Sequence, residues 1–236
     1  MRAGVAGSAK KLALFGGRAA GWGSRRSPRP PRGGSRMDAQ YWDEKYRSTD
    51  QLFSGAPNAV LVAEVAELPP GHALDLGCGE GADAHWLARH GWRVTAVDIA
   101  PTALRRAAEA APELADQVTW TAADITRTPP APRTYDLVSA HYFPLPRTAD
   151  HTALHGLLEA VAPGGTLLFT GHDLADLADH LEQEYTPHDF YQPAEVAALL
   201  GEEWTVLVDE TRPRTTPPPP GTGHTHDTVL RARRRP

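Results

Sequence analysis

Ala73-Leu74-Asp75-Leu76-Gly77-Cys78-Gly79-Glu80-Gly81 decides how this chain is read. A short apolar strand, Ala73 to Leu76, enters a turn of alternating glycines, and a helical pattern follows to about His90, where Gly91 closes it. Glycines in such a turn adopt positive φ and let the backbone approach a ligand closely, while the helix start beyond them presents free N–H groups. The next apolar strand, Arg93 to Val97, ends at Asp98, where a carboxylate can accept hydrogen bonds from both hydroxyls of a ribose. A nucleoside-containing ligand is the expectation.

The same alternation extends outward. Upstream, Asn58 stands as a helix N-cap before Leu61, Val62, Val65 and Leu68, and Pro69-Pro70-Gly71 stops that segment. Downstream, Pro101 suits the first turn of a helix running through Ala111. Then come a strand at Val118 to Ala122, a strand at Tyr135 to Ala140, a helix carrying Leu154, Leu157, Leu158 and Val161, and a strand at Thr166 to Thr170 after the turn Pro163-Gly164-Gly165. Strands alternating with helices predict βαβ units and an α/β doubly wound sheet covered on both faces. In the last third, 174–182 and 193–200 read as helices and Trp204 to Val208 and Thr228 to Ala232 as strands. The Pro-rich link at 215–221 has no helical pattern, so these two strands are expected to pair antiparallel.

Composition narrows the function classes. The chain has 236 residues, 41% hydrophobic and 22% charged, and no apolar run approaches the roughly 20 residues that cross a bilayer. Its single cysteine, Cys78, excludes a disulfide-stapled scaffold and fits a reducing, cytoplasmic setting. Residues 1–36 hold nine Lys or Arg and no acid, so the other 200 residues net −14 within a chain total of −5. A body of that sign repels a phosphate backbone, which favours small-molecule chemistry over nucleic acid. Residues 1–36, rich in Gly, Ser, Arg and Pro, are expected to be a disordered basic tail, either a leader or sequence upstream of a start at Met37; residues 37–236 are expected to form a single domain.

The glycine turn also satisfies a dinucleotide pattern, G-x-G-x-x-A, so an NAD-dependent oxidoreductase stands as an alternative, as does a non-catalytic adenosyl-binding sensor. Three features weigh against NAD. Asp75 would meet a pyrophosphate with the wrong sign but can pair with the ammonium of an amino acid. Asp124, ending the third strand, is placed to receive an adenine amine. Little chain is left for a substrate domain. With these residues the chain resembles the class I S-adenosylmethionine-dependent methyltransferases over about residues 38 to 234. The resemblance implies a Rossmann-like seven-stranded sheet, order 3-2-1-4-5-7-6, with strand seven antiparallel, and S-adenosyl-L-methionine as cofactor. It places Asp75, Gly77 and Gly79, with Cys78 between them, at the methionine part, Asp98 at the ribose, Ile99 on one face of the adenine, and Asp124 with Ile125 at its amine edge and other face.

Tyr41-Trp42-Asp43-Glu44-Lys45-Tyr46, ahead of Leu52-Phe53-Ser54-Gly55-Ala56-Pro57-Asn58, is similar to the tellurite-resistance and thiopurine type of small-molecule methyltransferase. That likeness implies that Trp42, Tyr46 and Phe53 line the cofactor pocket, where aromatic faces attract a sulfonium; the alternative is an amphipathic helix packing Trp42 and Tyr46 into the core. At the carboxyl end of strand four, His141 is a candidate base and Tyr142 a candidate for orienting the acceptor, or the two cap and pack the pocket. His180, His188, Phe190 and Tyr191 line an acceptor pocket or pack. His172-Asp173, His224 and His226 lack a third partner at metal-ligand spacing, so no metal is expected. The expected partner is a small-molecule methyl acceptor, with no nucleic acid, membrane or obligate protein partner. The acceptor atom is not written in the sequence.

Overall fold

A computed structural model describes residues 37–177, 189–216 and 224–236. The expected tail at 1–36 and the residues His180 and His188 lie outside the described residues.

Seven strands form one sheet: β1 (His72–Leu76), β2 (Arg93–Asp98), β3 (Val118–Ala122), β4 (Tyr135–His141), β5 (Val161–His172), β6 (Trp204–Pro213) and β7 (His226–Arg234), in the order β3-β2-β1-β4-β5-β7-β6. The first five pair in parallel, while β7 runs antiparallel between β5 and β6. Order and polarity agree with the expectation from the sequence. The antiparallel β6–β7 pair is what a link without a helical sequence pattern implies, because a parallel crossover needs a helix-sized connection.

Central strands are apolar on both faces because both are covered. Leu74, Leu76, Val138, Ala140, Leu167, Phe169, Leu230 and Ala232 pack on one side against Leu154, Leu157 and Leu158 of α5 (Thr152–Ala160) and Val196 of α6 (Pro193–Leu199). Ala73, Leu137, Leu168 and Val229 pack on the other against Val60, Leu61 and Val65 of α2 (Ala59–Val65) and Ala84, Leu87 and Ala88 of α3 (Ala82–Arg89). A third cluster joins α1 (Ala39–Arg47) to α4 (Pro101–Ala110) through Tyr46, Trp42, Leu52, Ala100 and Ala103.

Three local readings are revised. Helix α2 stops at Val65, and Leu68 N donates to Val65 O in a turn instead of continuing it. Val161 begins β5 and does not end α5: the Pro163-Gly164-Gly165 turn is an excursion within β5, between the pairs Tyr135–Val161 and Leu137–Thr166. Asn58 holds the N-cap position without capping. Its backbone N–H and its amide both donate to the Asp83 carboxylate, each at 2.7 Å, which ties the start of α2 to the start of α3.

Candidate functional site

The glycine turn between β1 and α3 sits at the carboxyl edge of the sheet. Gly77 and Gly79 have φ of +68° and +53°, in the region that side chains disfavour. A Cβ on Gly77 would stand 2.7 Å from Phe143 Cδ2, and one on Gly79 would stand 2.8 Å from the Tyr46 hydroxyl. Glycine is therefore required twice over, by conformation and by close approach. The N–H groups of Gly77 and Cys78 both donate to Val97 O, and Gly79 N donates to Asp98 Oδ2 at 2.9 Å, so the turn is clamped to the end of β2. Asp98 Oδ1 also accepts from Ala100 N at 2.8 Å. Burial raises the Asp98 carboxyl above its usual range, and these backbone N–H groups oppose the shift.

The Cys78 side chain is buried in the α2–α3 side of the core, and burial pushes its thiol up, so any part it takes in holding a ligand falls to its backbone.

Three carboxylates converge under this turn: Asp75, Asp83 and Asp98, all buried. Asp75 is 2% exposed, its Oδ2 has no hydrogen-bond partner among the described residues, and its other bond is from the Ala84 N–H. Burial first, then the charges of Asp83 and Asp98, raise its carboxyl well above the normal range. Among the described residues no cationic side chain forms an ion pair with any of the three. A buried anionic cluster of this kind is costly unless a positive group completes it.

The segment from α1 to Asn58 covers the turn and is held there by carboxylates. Asp43 Oδ1 accepts from Thr102 N at 2.8 Å, a remote cap for α4, whose own N-cap, Ala100, has no acceptor side chain. Glu80 Oε2 accepts from Leu52 N (3.0 Å) and Phe53 N (3.2 Å), while its Oε1 pairs with Arg106 at 3.0 Å. These clamps bring the predicted aromatics together: Trp42 lies 6.4 Å from Tyr46, and Tyr46 lies 6.2 Å from Phe53, edge to face. Tyr46 is buried over Gly79, whereas Phe53 is 53% exposed.

The adenine-side residues divide. Ile99 is half-buried beside Asp98. Ile125 packs into the α5 side of the core, which commits its side chain to folding. Asp124 closes a turn through Oδ1, accepting from the Thr126 N–H (2.9 Å) and hydroxyl (2.6 Å).

His141 and Tyr142 also divide. His141 points to the α2–α3 face, two residues beyond Ser139, which is paired in register with Asp75; neither of its ring nitrogens has a hydrogen-bond partner among the described residues. Tyr142 is turned away by a φ of +53°; its hydroxyl donates to Asp227 Oδ1 (2.8 Å) and accepts from Arg214 (2.7 Å). Arg214 and Asp227 are themselves paired at 2.7 Å, and the Tyr142 ring stacks on His172, which in turn contacts His224 at 3.8 Å between centroids. Tyr142 thus anchors the chain turn that carries Phe143 over Gly77. Tyr191 is buried in the core, with its hydroxyl bonded to His151, and Phe190 forms a bridge with Pro146; both pack.

Around the expected metal-free histidines the structure adds the partner missing from the spacing: Asp173, Asp176 and His226 bring ligand atoms within 4.8 Å of one another. Asp176 Oδ2 is already occupied by the N–H and hydroxyl of Thr225 and the N–H of His226. That arrangement caps the start of β7. Sequence reading missed Asp43, Glu80, Asp83, Arg214 and Asp227; only Glu80 and Asp83, in and just after the glycine turn, carried a local signal.

Residues 73–165 match the family model described as a methyltransferase domain, across the glycine turn, β2 to β4 and α5. The fold is that of the class I methyltransferases. Among solved structures, the N-methyltransferase NodS from Bradyrhizobium japonicum WM9 in complex with S-adenosyl-L-homocysteine superposes with a TM-score of 0.64 at 21% identity, over 84% of this chain and 99% of that one. Trans-aconitate 2-methyltransferase of Rhizobium meliloti (strain 1021) is 33% identical over 157 residues, 64% of this chain and 54% of that protein. The 2-heptyl-1-hydroxyquinolin-4(1H)-one methyltransferase of Mycobacteroides abscessus is 29% identical over 58% of this chain and 60% of that protein. The chain thus spans little more than half the length of these two relatives. In the class I arrangement the turn after β1 and the acid ending β2 face the same edge, as Gly77, Gly79 and Asp98 do here. A dinucleotide fold would lack the inserted antiparallel β7.

Proposed function

We propose that this chain transfers a methyl group from S-adenosyl-L-methionine to a small-molecule nucleophile, releasing S-adenosylhomocysteine. One observation carries the reading: Asp75, Asp83 and Asp98 are buried together without a cation among the described residues, and Asp75 Oδ2 stands unpartnered. A ligand with an ammonium and a sulfonium supplies the missing positive charge, whereas a pyrophosphate would add to the repulsion. Bound there, the cofactor supplies an electrophilic methyl group on its sulfonium.

The residues then have separable tasks. Asp75 receives the ammonium; Gly77 and Gly79 provide a surface without side chains; Asp98 accepts from the ribose hydroxyls with the lone pairs left by Gly79 and Ala100. Ile99 and Asp124 meet the adenine. Trp42, Tyr46 and Phe53 close over the turn, exclude water and present aromatic faces to the positive charge; their clustering supports the tellurite-resistance and thiopurine type of arrangement. Transfer asks mainly for alignment of the acceptor with the methyl group, which the edge between β1 and β4 offers. The names of the trans-aconitate and hydroxyquinolone relatives support a small-molecule acceptor.

Equilibrium titration of the full chain tests the cofactor. S-adenosylhomocysteine is expected to bind at micromolar concentration and Asp98→Ala to weaken it at least tenfold, while NAD does not bind. Binding of NAD alone overturns the reading. Transfer of label from S-adenosyl-[methyl-³H]methionine to any small acceptor separates an enzyme from a sensor.

A further inference from the structure

On the α2–α3 face of the sheet, the carboxyl edge carries a run of buried polar side chains. Asp75 on β1 is level with Ser139 on β4, His141 follows Ser139 on the same face, and His141 is level with Thr170 on β5. Ser139 is 0% exposed, Thr170 1% and His141 8%. Asp75 Oδ2, Ser139 Oγ, both nitrogens of His141 and Thr170 Oγ1 all lack partners among the described residues. Buried polar groups are ordinarily hydrogen-bonded. Five such atoms along one strip mark a place that a polar ligand or ordered water completes.

Both ring nitrogens of His141 are buried without a partner among the described residues, and so is Nδ1 of His172. His72, His85, His90, His151 and His226 each have a ring nitrogen in a hydrogen bond, the ordinary state of a structural imidazole. The charges of Asp83 on α3 and Asp227 on β7 act on His141, with Asp75 on β1 along the strip and the Tyr142 ring at 6.4 Å. Burial holds the imidazole neutral, and the two carboxylates favour its protonated form. Positive charge is scarce here: Arg214 is already committed to Asp227. Asp75, Asp83 and Asp98 outweigh the net single positive charge of S-adenosylmethionine.

Resting on the methyl-transfer reading, we infer that His141 is the base for the reaction and that the acceptor is a neutral, proton-bearing nucleophile, a hydroxyl or N–H group, rather than a carboxylate. The acceptor's X–H bond breaks and its proton passes to the free imidazole nitrogen. X keeps the electron pair and forms the new X–C bond, while the C–S pair returns to sulfur. The resulting imidazolium is favoured by the charges of Asp83 and Asp227 until solvent takes the proton. Ser139 and Thr170 offer the acceptor neutral hydrogen-bond partners.

The test uses the full chain with labelled histidine, loaded with S-adenosylhomocysteine, alongside His141→Asn and His141→Gln. Failure of the wild type to bind S-adenosylhomocysteine in calorimetry sinks the cofactor reading. Given binding, the nitrogen NMR signal that disappears in the variants is expected to show a neutral imidazole at pH 7 and still at pH 6; an imidazolium pattern at pH 7 overturns the inference, and this readout needs no acceptor. With 4-methylumbelliferone and citrate as probes, methylation of the phenol is expected to fall about 100-fold or more in kcat in both variants, in the range for loss of a general base, with S-adenosylhomocysteine affinity within about threefold of wild type. Preference for citrate, or an unchanged kcat in the variants, also overturns it.

Discussion

At Asp75 folding and binding pull in opposite directions. Its carboxyl is raised by burial and by the charges of Asp83 and Asp98. An acid whose folded pKa lies above its unfolded value binds more protons when folded, so stability is greatest at low pH and declines as pH rises from near 3.8 through the folded value. Asp75→Asn keeps an oxygen for the Ala84 N–H and removes the ionisable group. We expect it to raise the Tm of the ligand-free protein at pH 7 by a few degrees, to flatten that pH dependence, and to weaken S-adenosylhomocysteine binding at least tenfold. A variant that is less stable and binds normally would show that Asp75 is a structural acid. Parts of the residue-level geometry were legible: Gly77, Gly79 and Asp98 lie together at the carboxyl edge, as the local strand-turn-helix pattern suggests. The Cys78 side chain joins the core, and sequence adjacency does not say which residue of a turn turns inward. His141 and Tyr142 were paired as candidates for the same reason, and the positive φ at Tyr142 separates them.

The element that covers the site, α1 with the segment leading to α2, is held by the apolar cluster of Tyr46, Trp42 and Leu52 and by Asp43, Glu80 and Asp83. Glu80 carries the most: it takes two backbone N–H groups from the covering segment and pairs with Arg106. Charged hydrogen bonds of this sort contribute about 1.5–3 kcal/mol each, so their loss loosens the segment locally before it unfolds the domain. In Glu80→Ala we expect amide exchange at Leu52 and Phe53 to accelerate by at least tenfold in hydrogen-exchange mass spectrometry or NMR, with the amides of β1 and β4 unchanged. Uniform acceleration across the sheet would mean that Glu80 supports the whole fold. The partners of these anchors were not visible beforehand, because each contact joins residues far apart in the chain. The helices and strands themselves were legible, since apolar periodicity and Pro or Gly punctuation act locally. The misplaced ends, at Val65 and Val161, are where a turn or a bulge overrode the periodic signal.

Across the molecule, the antiparallel β6–β7 pair was inferable from the absence of a helical sequence pattern between them, but its tie to the carboxyl edge of the sheet was not. Asp227 and Arg214 form a buried pair that also holds Tyr142. Removing one member of such a pair leaves a charge uncompensated, at about 3–5 kcal/mol, whereas replacing both with apolar groups is often near neutral. Chemical denaturation is therefore expected to rank Asp227→Leu and Arg214→Met singly well below the double variant; additive losses would contradict a coupled pair. Taken whole, the account rests on three buried carboxylates, Asp75, Asp83 and Asp98, that we propose a cationic ligand completes. The most direct test is calorimetric titration of the full chain with S-adenosylhomocysteine at pH 6, in buffers of different ionisation enthalpy, for wild type and Asp75→Asn. We predict micromolar binding with net proton release as Asp75 ionises against the ammonium, and that release abolished in the variant. Binding without proton release, equal in both proteins, or no binding at all, would contradict it.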